Sequence, residues 1–431
     1  MKLKEIKELI RTTLLDCSDE IIALGDEVMK NAEIGYREEK TSKLIRGVFE
    51  GLEIEYQYPL ALTGVKATLR GRKHKFNIAV MAEMDALSCA AHPMATADNI
   101  AHACGHNAQV AAMLGAALAL KRSGAMAELD GDVSFLAVPA EEFIDLDFRR
   151  KLREEGKISY FGGKQELISC GAFDDVDMAM MVHAQPNEPK AKMYLGGHNL
   201  GFIAKTLTIK GKAAHGSTPH LGTNALNAAA LTIIGIHSNR ETFRDEERIR
   251  IHPIITKGGD VVNSVPDEVC IDTYVRGASF EGIKKGNAAV ERSLDGACRM
   301  IGAEYEIEDI PGYLPLEESS VLTSVFASCS AEILGEDNLV FGEEITGSTD
   351  VGDLSAIIPT IQPSVGGFSG NLHSNKFDVA DKNAAYVLPA LIMACTIAQL
   401  LYDGAEEAER VVAEFKPRMT KSEYISYLKG E

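Results

Sequence analysis

The segment FNIAVMAEMDAL, residues 76–87, decides the fold of this chain. It consists of an apolar run of strand length, Phe76 to Met81, that leads directly into the acidic side chains Glu83 and Asp85. Two further runs have the same construction: Val133 to Val138 leads into Pro139-Ala140-Glu141-Glu142, and Met178 to Val182 leads into His183. Because these runs are bounded by turn residues and separated by helical patterns, they predict an α/β fold with a mostly parallel sheet.

The polar residues at these strand ends are of the types that bind metals or transfer protons. Ligands of an open α/β sheet bind beyond the carboxyl ends of its strands, so these residues are expected at one edge. A fourth group, CGHN at residues 104–107, precedes a segment rich in helix formers, Ala108 to Arg122. The Cys-Gly-His turn is therefore predicted at the N-terminus of a helix.

The middle of the chain has a different character. From Leu200 to Ala303, the stretches FIAKTLTIKG and VCIDTYVR alternate like half-exposed strands, and Leu226 to Ser238 and Gly282 to Met300 have helical patterns. An apolar run resumes with YEIEDI, and helices are predicted over Ala384 to Tyr402 and Lys421 to Leu428. We therefore expect an inserted α+β domain, residues 200–303, within a discontinuous first domain formed by residues 1–199 and 304–431.

The charge of the chain limits its partners. Its 431 residues include 44 Lys and Arg against 63 Asp and Glu, a net charge of −19. The resulting field repels polyanions, so neither nucleic acid nor an anionic membrane is an expected partner. The longest apolar stretch, Val387 to Tyr402, is interrupted by Pro389, Thr396 and Gln399 and is too short for a transmembrane helix.

The cysteines and the N-terminal residues indicate the cellular compartment of the protein. The eight cysteines are scattered along the chain, and MKLKEIKELI predicts an amphipathic helix rather than the apolar core of a signal peptide. A cytoplasmic protein with reduced thiols is the expectation.

Several residues at the predicted sheet edge form a set of candidate metal ligands. They are Cys104, His106, Glu141, Glu142, His183 and His373, the last from the motif NLHSNKF. Thiolate, imidazole and carboxylate together suit zinc and related divalent ions, and five potential ligands, counting only one of the two adjacent glutamates, exceed the four of one tetrahedral site. A two-metal site follows. Neighbouring residues at a strand end project in different directions, so one carboxylate of the Glu141-Glu142 pair can bind metal while the other handles protons.

The motifs CGHN, PAEE, GSTDVGDLS and the late LHS resemble the M20 family of metallopeptidases and amidohydrolases, over nearly the whole chain. The inserted stretch GKAAHGSTPHLGTNALNAA resembles the lid or dimerisation domain of that family. Together, AEMDAL, HACGHN and GSTDVGDLS are most similar to the branch with the second subunit of p-aminobenzoyl-glutamate hydrolase and the M20 domain-containing dipeptidases. Asn107 and Gln109 depart from the CGHD-x-His pattern of the auxin-conjugate and hippurate hydrolases.

The resemblance implies a role for each matching residue. One or two divalent metals, zinc or manganese first and cobalt or nickel as alternatives, would be bound by Cys104, His106, Glu142, His183 and His373. Glu141 matches the general base that acts on a metal-activated water, and Asp85 matches a residue that orients a metal-binding histidine.

The resemblance also implies a substrate and an assembly. His215 matches a lid histidine that serves the active site of the neighbouring subunit, Asn263 a substrate contact, and Arg276 a partner for a substrate carboxylate. The expected substrate is a small amide such as a dipeptide, an N-acyl amino acid or p-aminobenzoyl-glutamate, hydrolysed by a homodimer paired through the inserted domain. The alternative is a noncatalytic subunit that keeps the fold for metal or ligand binding or for assembly.

Two charged segments stand outside these motifs. The segment from Phe143 to Phe161 separates PAEE from a following GGK, and its charge favours a solvated excursion, with a lining of the substrate entrance as the alternative. The pair Glu343-Glu344 in FGEEITG is predicted to lie in a solvated loop.

Overall fold

The structure, a computed structural model, describes residues 1–342 and 345–430. The solvated loop predicted at Glu343-Glu344 therefore lies outside the described residues. The described part divides into two compact units. Unit 1 comprises Met1–His198, Glu317–Glu344 and Asp353–Glu431, and unit 2 comprises Asn199–Leu316 and Ile345–Gly352.

The helices follow the predicted pattern closely. In chain order they are α1 (Leu3–Asp16), α2 (Ser18–Lys30), α3 (Glu39–Gly51), α4 (His106–Ser123), α5 (Leu146–Glu154), α6 (Gly163–Ser169), α7 (Ala225–Ser238), α8 (Phe280–Ile301), α9 (Ser320–Leu334), α10 (Val351–Ser355), α11 (Leu388–Leu401), α12 (Glu406–Glu414) and α13 (Lys421–Lys429). A π-helical turn, Asn383–Val387, precedes α11. Short 3₁₀ turns occur at Ala125–Glu128, Pro219–Leu221, Asn239–Thr242, Asp245–Glu247, Glu336–Asn338 and Asp403–Ala405.

The strands form one large sheet in each unit and several small ribbons. They are β1 (Tyr56–Leu60), β2 (Gly64–Leu69), β3 (Asn77–Glu83), β4 (Leu87–Ser88), β5 (Ile100–Ala101), β6 (Asp132–Val138), β7 (Met178–Met180), β8 (His183–Ala184), β9 (Met193–Leu195), β10 (His198–Asn199), β11 (Gly201–Lys210), β12 (Arg250–Ile251), β13 (Ile254–Lys257), β14 (Glu268–Gly277), β15 (Glu304–Pro311), β16 (Leu316–Glu317), β17 (Leu339–Phe341), β18 (Thr360–Ile361), β19 (Ser364–Val365), β20 (Phe368–Ser369) and β21 (Asp378–Val379).

The sheet of unit 1 has the strand order β1-β2-β6-β3-β7-β18. The pairs β6-β3, β3-β7 and β7-β18 are parallel, whereas β1 and β2 form an antiparallel edge. Every residue of β3 and of β6 is buried, as expected for strands of a parallel sheet that is covered on both faces. The mostly parallel α/β fold predicted from residues 76–87 is thus confirmed.

Helix α4 lies at the centre of unit 1 and packs against α1, α2, α11 and β3. Its first residue is His106, and Gly105 precedes it with a left-handed φ of 85°. A Cβ atom at Gly105 would lie 2.6 Å from the Cβ of Ala184, so only glycine fits this turn. The Cys-Gly-His turn therefore lies at the N-terminus of a helix, as predicted.

The helix that follows the π turn is a core element. The continuous stretch Asn383–Leu401 has 19 residues and is long and apolar enough to cross a membrane, so the prediction that it is too short was wrong by length. However, 89% of its apolar window is buried against the rest of the chain, and α11 packs on α4, α9 and α1. Its apolar composition is accounted for by this burial.

Unit 2 has its own antiparallel sheet and its own core. The strand order is β12-β14-β11-β15, with β13 also paired to β14. Helices α7 and α8 pack together on this sheet around buried residues such as Leu207, Ile271 and Leu294. Alternating burial along β14 matches a sheet with one covered face, so the inserted region has the predicted α+β character.

The predicted end of the insertion lies too early. Strand β15 was assigned to the second part of the first domain, yet it pairs with β11 over its full length, from Ile203 opposite Pro311 to Lys210 opposite Glu304. The chain therefore leaves unit 2 at about Leu316 rather than at Ala303, and it returns to that unit for Ile345–Gly352.

Candidate active site

The predicted metal ligands converge at the carboxyl ends of the central strands of unit 1. In three groups of three residues, the potential ligand atoms all lie within 4.8 Å of one another. The first group is Cys104, His106 and His183, the second is Cys104, Glu142 and His373, and the third is Glu83, His106 and Glu141. Cys104 belongs to the first two groups, so its sulfur lies where these two ligand sets meet.

Short distances connect the two groups through the sulfur of Cys104. This atom lies 3.6 Å from Nε2 of His183 and 3.4 Å from Nε2 of His373. Nε2 of His373 also lies 3.1 Å from Oε1 of Glu142. The backbone N–H of His373 donates to the carbonyl of Ala103 at 2.7 Å, which places this residue beside the cysteine although 269 positions separate the two in the chain.

The charges of the cluster shift its pKa values strongly. Burial alone would raise the pKa of the Cys104 thiol, but the imidazoles of His183 and His106 hold it well below its usual value. A hydrogen bond with Cys104 and the nearby carboxylate of Glu142 raise the pKa of His373 to about 10. Burial, with the negative charge of Cys104, raises the pKa of Glu142 to about 7. The cluster therefore favours a thiolate among cationic partners.

His106 is oriented by Asp85. Its Nδ1 lies 2.8 Å from the backbone carbonyl of Asp85 and 3.2 Å from Oδ1 of the same residue, so Nδ1 carries the donated proton. The other carboxylate oxygen of Asp85 accepts the backbone N–H of Glu142 at 2.9 Å. Asp85 thus fixes one predicted ligand by its ring and another by its backbone, as expected for a residue that orients metal ligands.

The donor set fits a divalent metal. Nε2 of His106 and Oε1 of Glu142 are buried, and neither makes a hydrogen bond within the described residues. Buried polar atoms normally have a hydrogen-bond partner, and those without one in a native protein often bind an ion or a water molecule. Because these two atoms belong to the two groups around a low-pKa thiol, they are suited to be metal ligands.

Glu141 belongs to the third group, with Glu83 and His106, and to neither of the two groups that share Cys104. Its Oε2 is 4.0 Å from Nε2 of His106, and only 7% of the residue is exposed. The preceding Ala140 has a φ of 54°, which turns the chain sharply between the end of β6 and the two glutamates. The adjacent carboxylates therefore have different neighbours, as the predicted division of roles requires.

The remaining predicted site residues belong to unit 2, where two of them share a turn. Gly216, next to His215, donates its N–H to the carbonyl of Asn263 at 2.7 Å, and both predicted residues are exposed. Nδ1 of His215 accepts the N–H of Ser217 at 3.1 Å. In the neutral ring the proton therefore lies on Nε2.

Arg276 lies on β14 beside a second motif. Its Nη1 donates to Oγ of Ser348 at 2.5 Å, so YVRG and GSTDVGDLS meet within unit 2. The guanidinium also lies 5.3 Å and 5.4 Å from the ring centroids of Phe202 and Tyr274. Burial lowers the pKa of Arg276, although an arginine remains protonated at physiological pH.

Comparison with known proteins identifies the family. The profile of peptidase family M20/M25/M40 matches residues 79–394, a range that begins within β3 and includes all five predicted metal ligands. The chain belongs to this family. The recognition drawn from CGHN, PAEE and the later motifs is confirmed, and the protein is an M20 enzyme that hydrolyses amide bonds.

Curated relatives of this M20 enzyme act on different amides. It is 26% identical over 363 residues to IAA-amino acid hydrolase ILR1-like 4 of Arabidopsis thaliana, covering 80% of this chain and 76% of the relative. It is also 26% identical over 456 residues to the human Xaa-Arg dipeptidase, covering 97% and 95%. Both names describe hydrolases of an amide bond to an amino acid.

Solved structures agree in fold with the M20 enzyme. A dinuclear metal-binding M20 peptidase from Bacillus subtilis matches with a TM-score of 0.69 at 23% identity, over 89% of this chain and 98% of that one. The aminobenzoyl-glutamate utilization protein of Klebsiella pneumoniae matches with a TM-score of 0.67 at 18% identity, over 90% and 98%. These likenesses confirm the predicted architecture.

The M20 enzyme contains a buried ion pair that the sequence motifs did not predict. Nζ of Lys164 lies 2.6 Å from Oε1 of Glu83, and both side chains are fully buried. Oε2 of Glu83 accepts the side-chain amide of Gln109 at 2.8 Å and lies 3.2 Å from Nε2 of His106. Burial alone would raise the pKa of Glu83, yet the positive charges of Lys164 and His106 lower it. The signal was present in Gln109, which departs from the usual histidine and here binds a glutamate.

The segment from Phe143 to Phe161 is not a solvated excursion, and that expectation was wrong. It contains α5, whose residues Arg149 and Leu152 are buried at 1% and 7% exposure. The charged pattern concealed this arrangement because other charges of the helix, such as Lys151, face solvent.

Proposed function

We propose that the enzyme hydrolyses a small amide whose amine half carries a free carboxylate, such as a dipeptide, an N-acyl amino acid or p-aminobenzoyl-glutamate. The proposal depends on one observation: two ligand groups share Cys104, and the carboxylate of Glu141, which belongs to neither of them, lies 4.0 Å from Nε2 of His106. That arrangement suits a hydrolytic reaction, which needs an activated water and a group to move its proton.

The ligand groups support binding of one or two divalent ions by Cys104, His106, Glu142, His183 and His373. Zinc or manganese is the first choice, with cobalt and nickel as alternatives, because these ions share thiolate, imidazole and carboxylate ligands. When bound, such an ion supplies a Lewis acid for the amide carbonyl and lowers the pKa of water. Glu141 removes the proton of the attacking water and delivers it to the nitrogen of the leaving amine.

Unit 2 supplies groups suited to the substrate itself. Arg276 carries a permanent charge in a half-buried, aromatic setting, which favours pairing with a carboxylate. His215 offers Nε2–H as a donor, and Asn263 offers a side-chain amide, so both suit a developing oxyanion. The names of the two curated relatives, which include amino acids and a dipeptide, support the same substrate class.

A substrate screen tests the proposal. The metal-reconstituted protein and its Glu141→Gln variant are assayed against dipeptides, N-acyl amino acids and p-aminobenzoyl-glutamate. We expect turnover of at least one class, and a loss of roughly 100-fold or more in the variant because proton transfer is removed without loss of a ligand. Ligand binding with no turnover by the unaltered protein would instead support a noncatalytic subunit, and near-normal activity of Glu141→Gln would refute its role as the base.

We further propose a homodimer in the cytoplasm, in which His215 serves the site of the partner subunit. The exposed apolar side chains of Val261 and Val262, beside Asn263, support pairing at this turn. A reducing compartment suits the low-pKa thiol of Cys104.

Subunit exchange tests the shared site. Glu141→Gln and His215→Ala homodimers are each expected to be nearly inactive. After exchange, one site of each heterodimer combines an intact Glu141 with an intact His215 from the opposite chain, so activity returns in that site alone. If His215 served its own chain, every site would keep a lesion and no activity would return after verified exchange.

A further inference from the structure

The turn that carries Glu141 and Glu142 is held in a strained conformation. Ala140 has a φ of 54°, a left-handed conformation that is costly for any residue with a Cβ atom. Such a conformation persists when surrounding contacts determine it, and strained backbone is concentrated at functional sites. The contacts that hold this turn therefore decide where the two glutamates point.

Arg149 of α5 holds the turn from the side of the inserted segment. Its Nη2 donates to the carbonyl of Glu142, and its Nη1 lies 3.4 Å from the carbonyl of Ala140. The same Nη1 donates to the carbonyl of Phe161 at 2.7 Å. One planar guanidinium thus contacts the backbone on both sides of Glu141. Arg149 is only 1% exposed, so these contacts are buried.

The backbone N–H groups of the same turn are held by the side-chain carboxyl groups of two acidic residues. Glu38 accepts the N–H of Ala140 at 2.8 Å, and Asp85 accepts the N–H of Glu142 at 2.9 Å. Arg149 therefore completes a set of contacts to the N–H and C=O groups that flank Glu141. Glu38 directly precedes α3 and Asp85 follows β3, whereas the guanidinium comes from the inserted segment.

The inserted segment is held to neighbouring elements by hydrogen bonds, so the position of Arg149 is fixed. Oε2 of Glu166, in α6, accepts the N–H groups of Ser159 and Tyr160, each at 2.9 Å. The hydroxyl of Tyr36 donates to the carbonyl of Tyr160 at 3.1 Å. Space around the guanidinium is also tight, since a Cβ atom on Gly35 would lie 2.7 Å from Nη2 of Arg149.

We propose that Arg149 is a positioning residue, through which the inserted segment 143–161 fixes the orientation of the Glu141-Glu142 turn. The roles of the two glutamates rest on the proposed function, but the geometric role of Arg149 does not. A shift of about 1 Å in a reacting group costs roughly 100-fold in rate, and loss of a residue that orients metal ligands costs about 10 to 100-fold in metal affinity. Arg149 is thus expected to affect turnover and metal binding together.

The test compares Arg149→Met and Arg149→Lys with Lys151→Met, an exposed control on the same helix. For Arg149→Met we expect kcat to fall by roughly 30-fold or more with KM within about threefold, and cobalt affinity in a chelator competition to fall about tenfold. Arg149→Lys should recover part of both losses because an ammonium reaches a single carbonyl. The control should match the unaltered protein.

Two readouts separate positioning from general stability. Hydrogen exchange at the amides of residues 140–142 should accelerate in metal-free Arg149→Met while exchange in β3 stays unchanged. Methylguanidinium should restore activity and cobalt affinity to Arg149→Ala by refilling the lost position. If Arg149→Met keeps full kcat, cobalt affinity and exchange protection and loses only resistance to denaturant, the proposal is overturned.

The outcome is independent of whether the substrate class is right. If the unaltered protein hydrolyses nothing in the screen, cobalt affinity and amide exchange still test the role of Arg149. If Arg149→Met does not fold, Arg149→Lys decides: reduced cobalt affinity with intact unfolding cooperativity supports the proposal, and unchanged affinity together with unchanged exchange refutes it.

Discussion

Replacing Lys164 by methionine should destabilise the enzyme strongly, because it removes the cation of a fully buried ion pair. Methionine keeps most of the apolar volume of the lysine stem, so the main change is loss of the ammonium group beside Glu83. Glu83 would then remain buried with Gln109 and His106 as its neighbours. A buried charge without its counter-ion is one of the more costly defects in a protein core.

The distance sets the size of the effect. At the 2.6 Å separation of Nζ and Oε1, two unit charges attract each other by about 6 kcal/mol at an effective dielectric constant of about 20. Part of this attraction is offset, since the ammonium no longer has to be desolvated. Breaking a buried pair from one side typically costs about 3–5 kcal/mol, and the remaining hydrogen bond from Gln109 favours the lower end, about 3 kcal/mol.

A double-mutant cycle measures this coupling. The free energy of unfolding is determined in urea at pH 7, with a chelator present so that metal binding does not contribute, for Lys164→Met, Glu83→Gln and the double variant. We expect the double variant to be more stable than the sum of the single losses predicts, by about 2 kcal/mol, because neutral side chains leave no unpaired charge. A loss below about 1 kcal/mol in Lys164→Met, or strictly additive losses, would refute the reasoning.

Three further predictions concern the site. Glu142→Gln should lower metal occupancy measured by elemental analysis whereas Glu141→Gln should not, because only Glu142 belongs to a ligand group that contains Cys104; equal occupancies would contradict the assignment. Arg276→Ala should weaken substrates with a free carboxylate by about 2 kcal/mol in kcat/KM and barely affect their amide analogues, while equal losses would make Arg276 structural. Burial and the charge of Asp85 raise the pKa of Glu38 to about 8, so the folded chain keeps a proton that the unfolded chain releases above about pH 4.3. Stability should therefore fall by up to about 1.4 kcal/mol per pH unit as the pH rises from about 5 to 8, and Glu38→Gln should flatten this slope in urea titrations; an unchanged slope would count against it.

Local patterns predicted much of the fold because the order of apolar and polar residues along a segment reflects how that segment is buried. The run Phe76 to Met81 is apolar without alternation, and the corresponding strand β3 is buried on both faces between parallel neighbours. The end of the insertion was misplaced because the pairing of two strands is a long-range contact, which a local pattern does not reveal. The pattern of YEIEDI indicates a strand but not its partner, and only the pairing of β15 with β11 assigns that strand to unit 2.

The part of the candidate site that consists of metal-type residues in recognisable motifs was predictable from the sequence. The buried cations that contact residues far away in the chain were not. Cys104 and His106 have metal-type side chains in a recognisable turn. Lys164 and Arg149, by contrast, are cations in charged or mixed segments, and such residues are usually exposed. Lys164 is buried beside Glu83, which is 81 positions away in the chain, and Arg149 is buried against the carbonyl groups of a turn. Neither contact can be recognised in the sequence around the cation.

The separate core of unit 2 has a consequence for how such an enzyme diversifies. Leu207, Ile271 and Leu294 pack within that unit, whereas the donors around Cys104 are supported by the core of unit 1. Mutations on the exposed face of β14 or in the turn of His215 can therefore accumulate without disturbing the strands that carry Glu83 and Glu142. Selection for a new amide can act on one folding unit while the reaction chemistry is inherited unchanged in the other.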